Sequence, residues 1–192
     1  MLTMMPMAAC DGSNADPILP EQPGQPGNSD GGDEDDSTDP TNPIPGGNGR
    51  YLVLYCSRTG STERMAQQIQ QTLDCDILEV EPQTPYESDY NGMLNRAQEE
   101  LAAIRQGNYP AIKTSVEDFG NYDIVFVGYP IWYGSMGTPM QTFLHNHASK
   151  LAGKRIALFA SSGSSGISAS VDEARTLCSG ATFTETLLLT SS

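Results

Sequence analysis

From residue 51 onward, short continuous apolar runs alternate with stretches in which apolar residues recur at three- and four-residue steps. The first run, Tyr51-Leu52-Val53-Leu54-Tyr55-Cys56, stops at small hydroxylated residues around Gly60, and Met65, Ala66, Ile69 and Leu73 then follow at helical spacing. Strand, tight loop and helix are predicted there. Residues 74–81 alternate as an edge strand with one wet face does, and Pro82 and Pro85 end it. An irregular segment over 83–90, with Tyr86 and Tyr90, leads into a helix over 91–106, which carries Leu94, Ala97, Leu101 and Ile104 on one face and stops at Gly107. Tyr122 to Tyr129 is a continuous apolar run, as expected of a strand covered on both faces. After it, Thr138-Pro139 reads as an N-cap followed by proline at the first helical position, with Met140, Phe143 and Leu144 pointing inward. A strand over 153–160, a helix over 167–178 and a strand over 182–189 complete the pattern. The order β-α-β-α-β-α-β-α-β specifies a doubly wound α/β fold: a five-stranded parallel sheet, right-handed crossovers and helices on both faces.

Composition changes this picture mainly at the N-terminus. A chain of 192 residues has room for one ordinary domain and some surplus. Residues 1–49 hold nine acidic side chains and no Lys or Arg, and residues 11–49 are rich in Pro, Gly, Asp, Asn and Ser. With only Ile18, Leu19 and Ile44 as large aliphatics, residues 11–49 bury too little apolar surface to offset their ordering entropy, so a disordered linker is expected. Ahead of it, Met7-Ala8-Ala9-Cys10 resembles a bacterial lipoprotein box, which implies a signal over 1–10 and a lipid on Cys10. No basic segment precedes that box, and its apolar stretch is short for a signal peptide. A lipid-anchored protein of the cell envelope is the expectation, and a cytoplasmic protein the alternative.

Residues 50–192 carry ten basic against fifteen acidic side chains, a net charge of −5, with nothing resembling a nucleic-acid footprint. Cys10, Cys56, Cys75 and Cys178 form no C-x-x-C pair and lie far in sequence from His145 and His147, which argues against zinc and dithiol chemistry. Cys56 and Cys75 read as small buried hydrophobes, and the histidines as residues placed near a helix C-terminus.

The candidate chemistry lies in three loops that each follow a strand. In a parallel sheet all such loops share one edge, where ligands sit at the topological switch point. The first, Ser57-Arg58-Thr59-Gly60-Ser61-Thr62, offers hydroxyls and backbone N–H groups at a helix N-terminus and suits a phosphate. It is neither a Walker A loop nor a G-x-G-x-x-G turn. The second, Pro130-Ile131-Trp132-Tyr133-Gly134-Ser135, presents the only tryptophan of the chain. The third, Ser161-Ser162-Gly163-Ser164-Ser165-Gly166, lets a flat ligand approach its backbone. A planar ring beside an aromatic, with its phosphate at the first loop, describes a flavin mononucleotide (FMN) site.

These segments, with Gly128-Tyr129-Pro130-Ile131-Trp132-Tyr133-Gly134, Thr142-Phe143-Leu144 and Gly153-Lys154, resemble bacterial flavodoxins over about residues 50–190. The resemblance implies a sheet of order 2-1-3-4-5 in a three-layer α/β/α fold, with non-covalent FMN. It assigns Ser57, Thr59, Gly60, Ser61 and Thr62 to the phosphate, with Arg58 pointing into solvent, where it screens the phosphate or meets partners. Pro130, Ile131, Trp132, Tyr133 and Gly134 would flank the ring, and Ser161, Ser162, Gly163, Ser164 and Gly166 approach its other edge. Ser135-Met136-Gly137 stands as an insertion beside the pattern, bearing on how exposed the ring is. Relatives continue into a C-terminal helix, whereas the sequence stops at Ser192, so the expected fold lacks that helix, leaves apolar side chains of the central strands facing water and is less stable. The function implied is electron transfer between redox partner proteins. The alternatives are an NAD(P)H-dependent FMN or quinone reductase, with Tyr86, Tyr90 and Tyr133 as substrate contacts, and a non-redox envelope lipoprotein.

Overall fold

The computed structural model describes residues 50–190; the expectations for the signal, Cys10 and the linker lie outside the described residues. Strands β1 (Tyr51–Tyr55), β2 (Asp76–Glu79), β3 (Ile124–Trp132), β5 (Arg155–Ser162) and β6 (Thr182–Thr190) form a parallel sheet in the order β2-β1-β3-β5-β6. A sixth strand, β4 (Ser135–Met136), lies off this path and pairs antiparallel with the end of β3. The helices are α1 (Ser61–Leu73), α2 (Tyr90–Ile104), α3 (Thr138–His147) and α4 (Ser168–Leu177).

The central strands are covered on both faces, as their continuous apolar runs require. On one face Tyr51, Val53, Tyr55 and Phe159 are buried beneath α1, whose Ala66 is fully buried and whose Met65, Ile69 and Leu73 are partly so. On the other, Leu52, Leu54, Val125, Val127, Tyr129 and Leu158 join Met140, Phe143 and Leu144 of α3 and Val171 and Ala174 of α4 in the main core. The greatest apolar exposure in the sheet falls on the edge strand β6, where Leu187 and Leu189 are 57% and 50% exposed. On the central strand β3, Ile124 and Phe126 at the margin of the α1 face are only partly buried.

Other expectations shift at element ends. α2 buries Met93, Ala97 and Leu101, a stripe one position out of phase with the expected one at its start, and Asp89 caps it by accepting from the Gly92 N–H at 2.7 Å. Gly137, not Thr138, is the N-cap of α3, because the Thr138 hydroxyl donates elsewhere. The buried His147 ring accepts the Val116 N–H at Nε2 (3.2 Å) and so donates from Nδ1 to the Phe143 carbonyl (2.8 Å), pinning the segment before β3 to α3. Its hydrogen bonds, rather than the helix dipole alone, account for its place. Cys56, Cys75 and Cys178 are free and buried.

Candidate functional site

β1, β3 and β5 end side by side, so the segments that follow them meet at one edge of the sheet. Together with the N-terminus of α2 and the end of β6 they enclose a cleft of about 680 Å³. That volume falls in the range of small-molecule sites.

The first wall is the turn from β1 into α1. Gly60 stands at the N-cap with φ +80°, a left-handed backbone that disfavours any side chain, and no side chain caps the helix. The Gly60 N–H is held by Ser57 Oγ at 3.1 Å. The first-turn N–H groups of α1 thus lack a side-chain acceptor at the positive end of the helix dipole, the arrangement that receives an anion. Ser57, Arg58, Thr59, Ser61, Thr62 and Arg64 line this part, so two cations stand beside it. Arg58 does not point into solvent as expected. Its guanidinium donates to the carbonyls of Glu87, Ser88 and Asp89 at 3.0–3.3 Å, because three acceptors converge where the chain turns into α2.

The second wall is a hairpin rather than the open loop expected over 130–135. β3 continues through Pro130 and Ile131 to Trp132, which pairs with Ser135 across a two-residue turn. Tyr133 (φ +51°) and Gly134 (φ +80°) make that turn, both with the positive φ of a type I′ hairpin. The expected insertion Ser135-Met136-Gly137 is therefore the return strand and its exit. It is fastened by Glu173, which accepts the Met136 N–H at 2.8 Å, and by Gln141, which donates to the Met136 carbonyl at 2.7 Å. Trp132 is 8% exposed and borders the cleft, whereas Tyr133 is 50% exposed on its rim.

The third wall is the end of β5. Thr62 and Ser161 hydroxyls share a hydrogen bond of 2.8 Å that ties this wall to the first, and Ser162 Oγ accepts the Ser165 N–H at 2.8 Å to shape the following turn. Ser161 and Ser162 belong to the strand itself; Gly163, Ser164 and Ser165 complete the lining.

Of the expected site residues, Gly60, Gly134 and Gly166 do not line the cleft, although the first two set the turns that shape it. Residues missing from the expected site are Arg64, Met93, Leu94, Leu189 and Thr190, while Tyr90, expected as a substrate contact, also lines it. Arg64, one turn into α1, had a local signal; the others depend on which elements pack beside the sheet edge.

Among the described residues, those lining the cleft include no carboxylate, imidazole or thiol. Cys56, next to the first wall, has its thiol pushed up to about 12 by burial, so it is no nucleophile at neutral pH. Burial, and then the hydrogen bond to Glu100, also raise the Tyr86 phenol and keep its proton in place. The arrangement suits an anionic, planar ligand.

Three comparisons bear on this geometry. A family model described as Flavodoxin matches residues 50–192. A Bacteroides eggerthii structure, provisionally described as a flavoprotein, is 34% identical with a TM-score of 0.65, the match covering 73% of this chain and 87% of that one. A Lactobacillus acidophilus flavoprotein solved in complex with FMN is 26% identical with a TM-score of 0.62, covering 72% of this chain and 92% of that one. Among curated proteins none matches.

Proposed function

Because the chain belongs to the flavodoxin family, we propose that it is an FMN-binding flavoprotein whose task is to carry electrons between partner proteins. The observation that carries the reading is the meeting, in one cleft, of an uncapped helix N-terminus with two arginines and of a tryptophan-bearing hairpin. The residues present fit the cofactor. Hydroxyls of Ser57, Thr59, Ser61 and Thr62, with the first-turn N–H groups of α1, would hold the phosphate, and Arg58 and Arg64 would balance its charge. Trp132 and Tyr133 would border the ring, and the backbone of 162–165 would approach it from the third wall. Bound FMN supplies electron transfer in one- and two-electron steps. The chain's part is to bind and orient the ring, to restrict water around it and to set its electrostatic surroundings. A net charge of −5 over residues 50–192 steers basic partners toward the domain as a whole. The lipoprotein-like box at Cys10 favours attachment to the cell envelope, which intact-mass measurement of the membrane-extracted protein would test.

Titration of the flavin-free protein with FMN tests the reading. Tight binding with quenching of Trp132, and reversible reduction of the bound flavin by a low-potential donor, are expected. Steady NAD(P)H oxidation by the purified protein alone would assign a reductase instead, and absence of FMN binding would refute both.

A further inference from the structure

Trp132 does not stand alone at the cleft. Its ring packs with Met93 and Ala97 of α2 in a small separate core and meets the Tyr86 ring edge-on, with centroids 5.1 Å apart and planes at 76°. The Arg96 guanidinium lies 4.2 Å from the centroid of that Tyr86 ring. All of this converges on one carboxylate. Glu100 accepts from the Tyr86 hydroxyl, from Thr138 Oγ1 at 2.5 Å and from Arg96 Nε at 2.8 Å. The side chains of Arg96 and Glu100 are only 21% and 12% exposed, so the pair is held away from bulk water and has its charge balanced internally. Arg96 also donates to the Thr84 and Pro85 carbonyls at 2.9 and 2.8 Å, which fixes the backbone that carries Tyr86. Thr138 follows the hairpin exit directly, so Glu100 joins the segment before α2 to the segment after β4 across Trp132.

We propose that Glu100 is the positioning residue of the cleft: through Tyr86, Arg96 and Thr138 it sets the orientation in which Trp132 faces the bound ligand. A largely buried carboxylate with all three partners in place has one low-energy arrangement, and a carboxylate lost from it frees three side chains at once. An aromatic ring held edge-on at this distance contributes orientation beyond the area it covers. Among the described residues the hydrogen bonds of Glu100 go to Tyr86, Arg96 and Thr138 and to none of the phosphate wall, so its loss should affect that wall less than Trp132. The inference rests on the FMN reading for its effect on the ligand, but not for its effect on Trp132.

Trp132 is the only tryptophan in the sequence, so its fluorescence reports the site before any ligand is added. Glu100→Ala is expected to lower the anisotropy and shift the emission of Trp132 in the folded, flavin-free protein. In the same variant the Kd for FMN should rise about tenfold, and the absorption bands of bound FMN should move. Tyr86→Phe, which keeps the ring but removes its hydrogen bond to Glu100, should reproduce these changes in part, and Tyr86→Leu, which also removes the ring, in full. If Glu100→Ala fails to fold, Tyr86→Phe decides, because wild-type Trp132 emission and anisotropy in that variant would overturn the proposal. A lower melting temperature with unchanged Trp132 emission, anisotropy and FMN bands would overturn the proposal and leave Glu100 a purely structural residue. If the wild-type protein does not bind FMN, the functional reading fails, and the flavin-free fluorescence still decides whether Glu100 orients Trp132.

Discussion

At the scale of single residues, the cleft depends on backbone and packing constraints that allow little choice. Gly128 in β3 pairs with Phe159 of β5, and a Cβ placed on it would lie 2.1 Å from that phenyl ring. The ring itself is buried under α1, so it has no free space to move into. Gly128→Ala should therefore cost on the order of 3 kcal/mol, at the upper end of overpacking effects. Denaturant unfolding would check it, with Gly128→Ala/Phe159→Leu recovering part of the loss. Tyr133 presents the opposite case: a non-glycine residue at φ +51° in a turn that favours Asn or Gly. Left-handed backbone costs an ordinary side chain roughly 1 kcal/mol, so the ring is kept there against local preference. Tyr133→Asn should hold or raise the melting temperature while weakening FMN binding by about three- to tenfold. Unchanged affinity in a fluorescence titration would remove Tyr133 from the ring site.

At the scale of elements, among the described residues apolar periodicity located each helix and each strand of the main parallel path, because burial of one helix face or of a whole strand leaves a mark in local spacing. It did not reveal β4. A two-residue strand has no periodicity, and its pairing with Ile131 and Trp132 depends on Glu173, thirty-seven positions from the Met136 N–H it accepts. Thr138 shows the same limit: a hydroxyl before proline reads as a cap, but Glu100 claims it across the α2–α3 contact. Because the hairpin exit hangs on that distant carboxylate, Glu173→Ala should loosen it. The Met136 amide is expected to exchange with solvent roughly ten- to a hundredfold faster, as loss of a charge-assisted bond worth about 2 kcal/mol implies. Native-state hydrogen exchange measures this directly, and protection equal to wild type would show that β3 pairing alone holds the hairpin.

At the scale of the whole molecule, the core contains acids that the fold keeps protonated. Burial raises the Tyr129 phenol to about 12, Cys56 to about 12 and Cys178 to about 11, from ordinary values of 10.0 and 9.0. Each binds its proton more tightly folded than unfolded, so its contribution to stability is complete below the ordinary value and is lost as pH rises through the raised one. Stability should fall from about pH 9 upward, by on the order of 1 kcal/mol per pH unit for each group within its window. Urea midpoints measured from about pH 8 to 11 check this, and a flat profile would contradict the burial of these groups. Near neutrality the three contribute no pH dependence. The sequence by itself determined the order of strands and helices and the convergence of three loops on one sheet edge. Both follow from chain-local hydrophobic spacing and from the single hand of parallel crossovers. Only the tertiary structure decided that Trp132 ends a strand, that Arg58 turns to the 87–89 carbonyls, that Met93, Leu94 and Leu189 complete the cleft, and that Glu100 gathers Tyr86, Arg96 and Thr138. Apart from the Arg96–Glu100 pair and the Trp132–Ser135 pairing, each of these is a contact between residues far apart along the chain. It exists only once the sheet has set which elements lie side by side and their side chains have competed for the same partners.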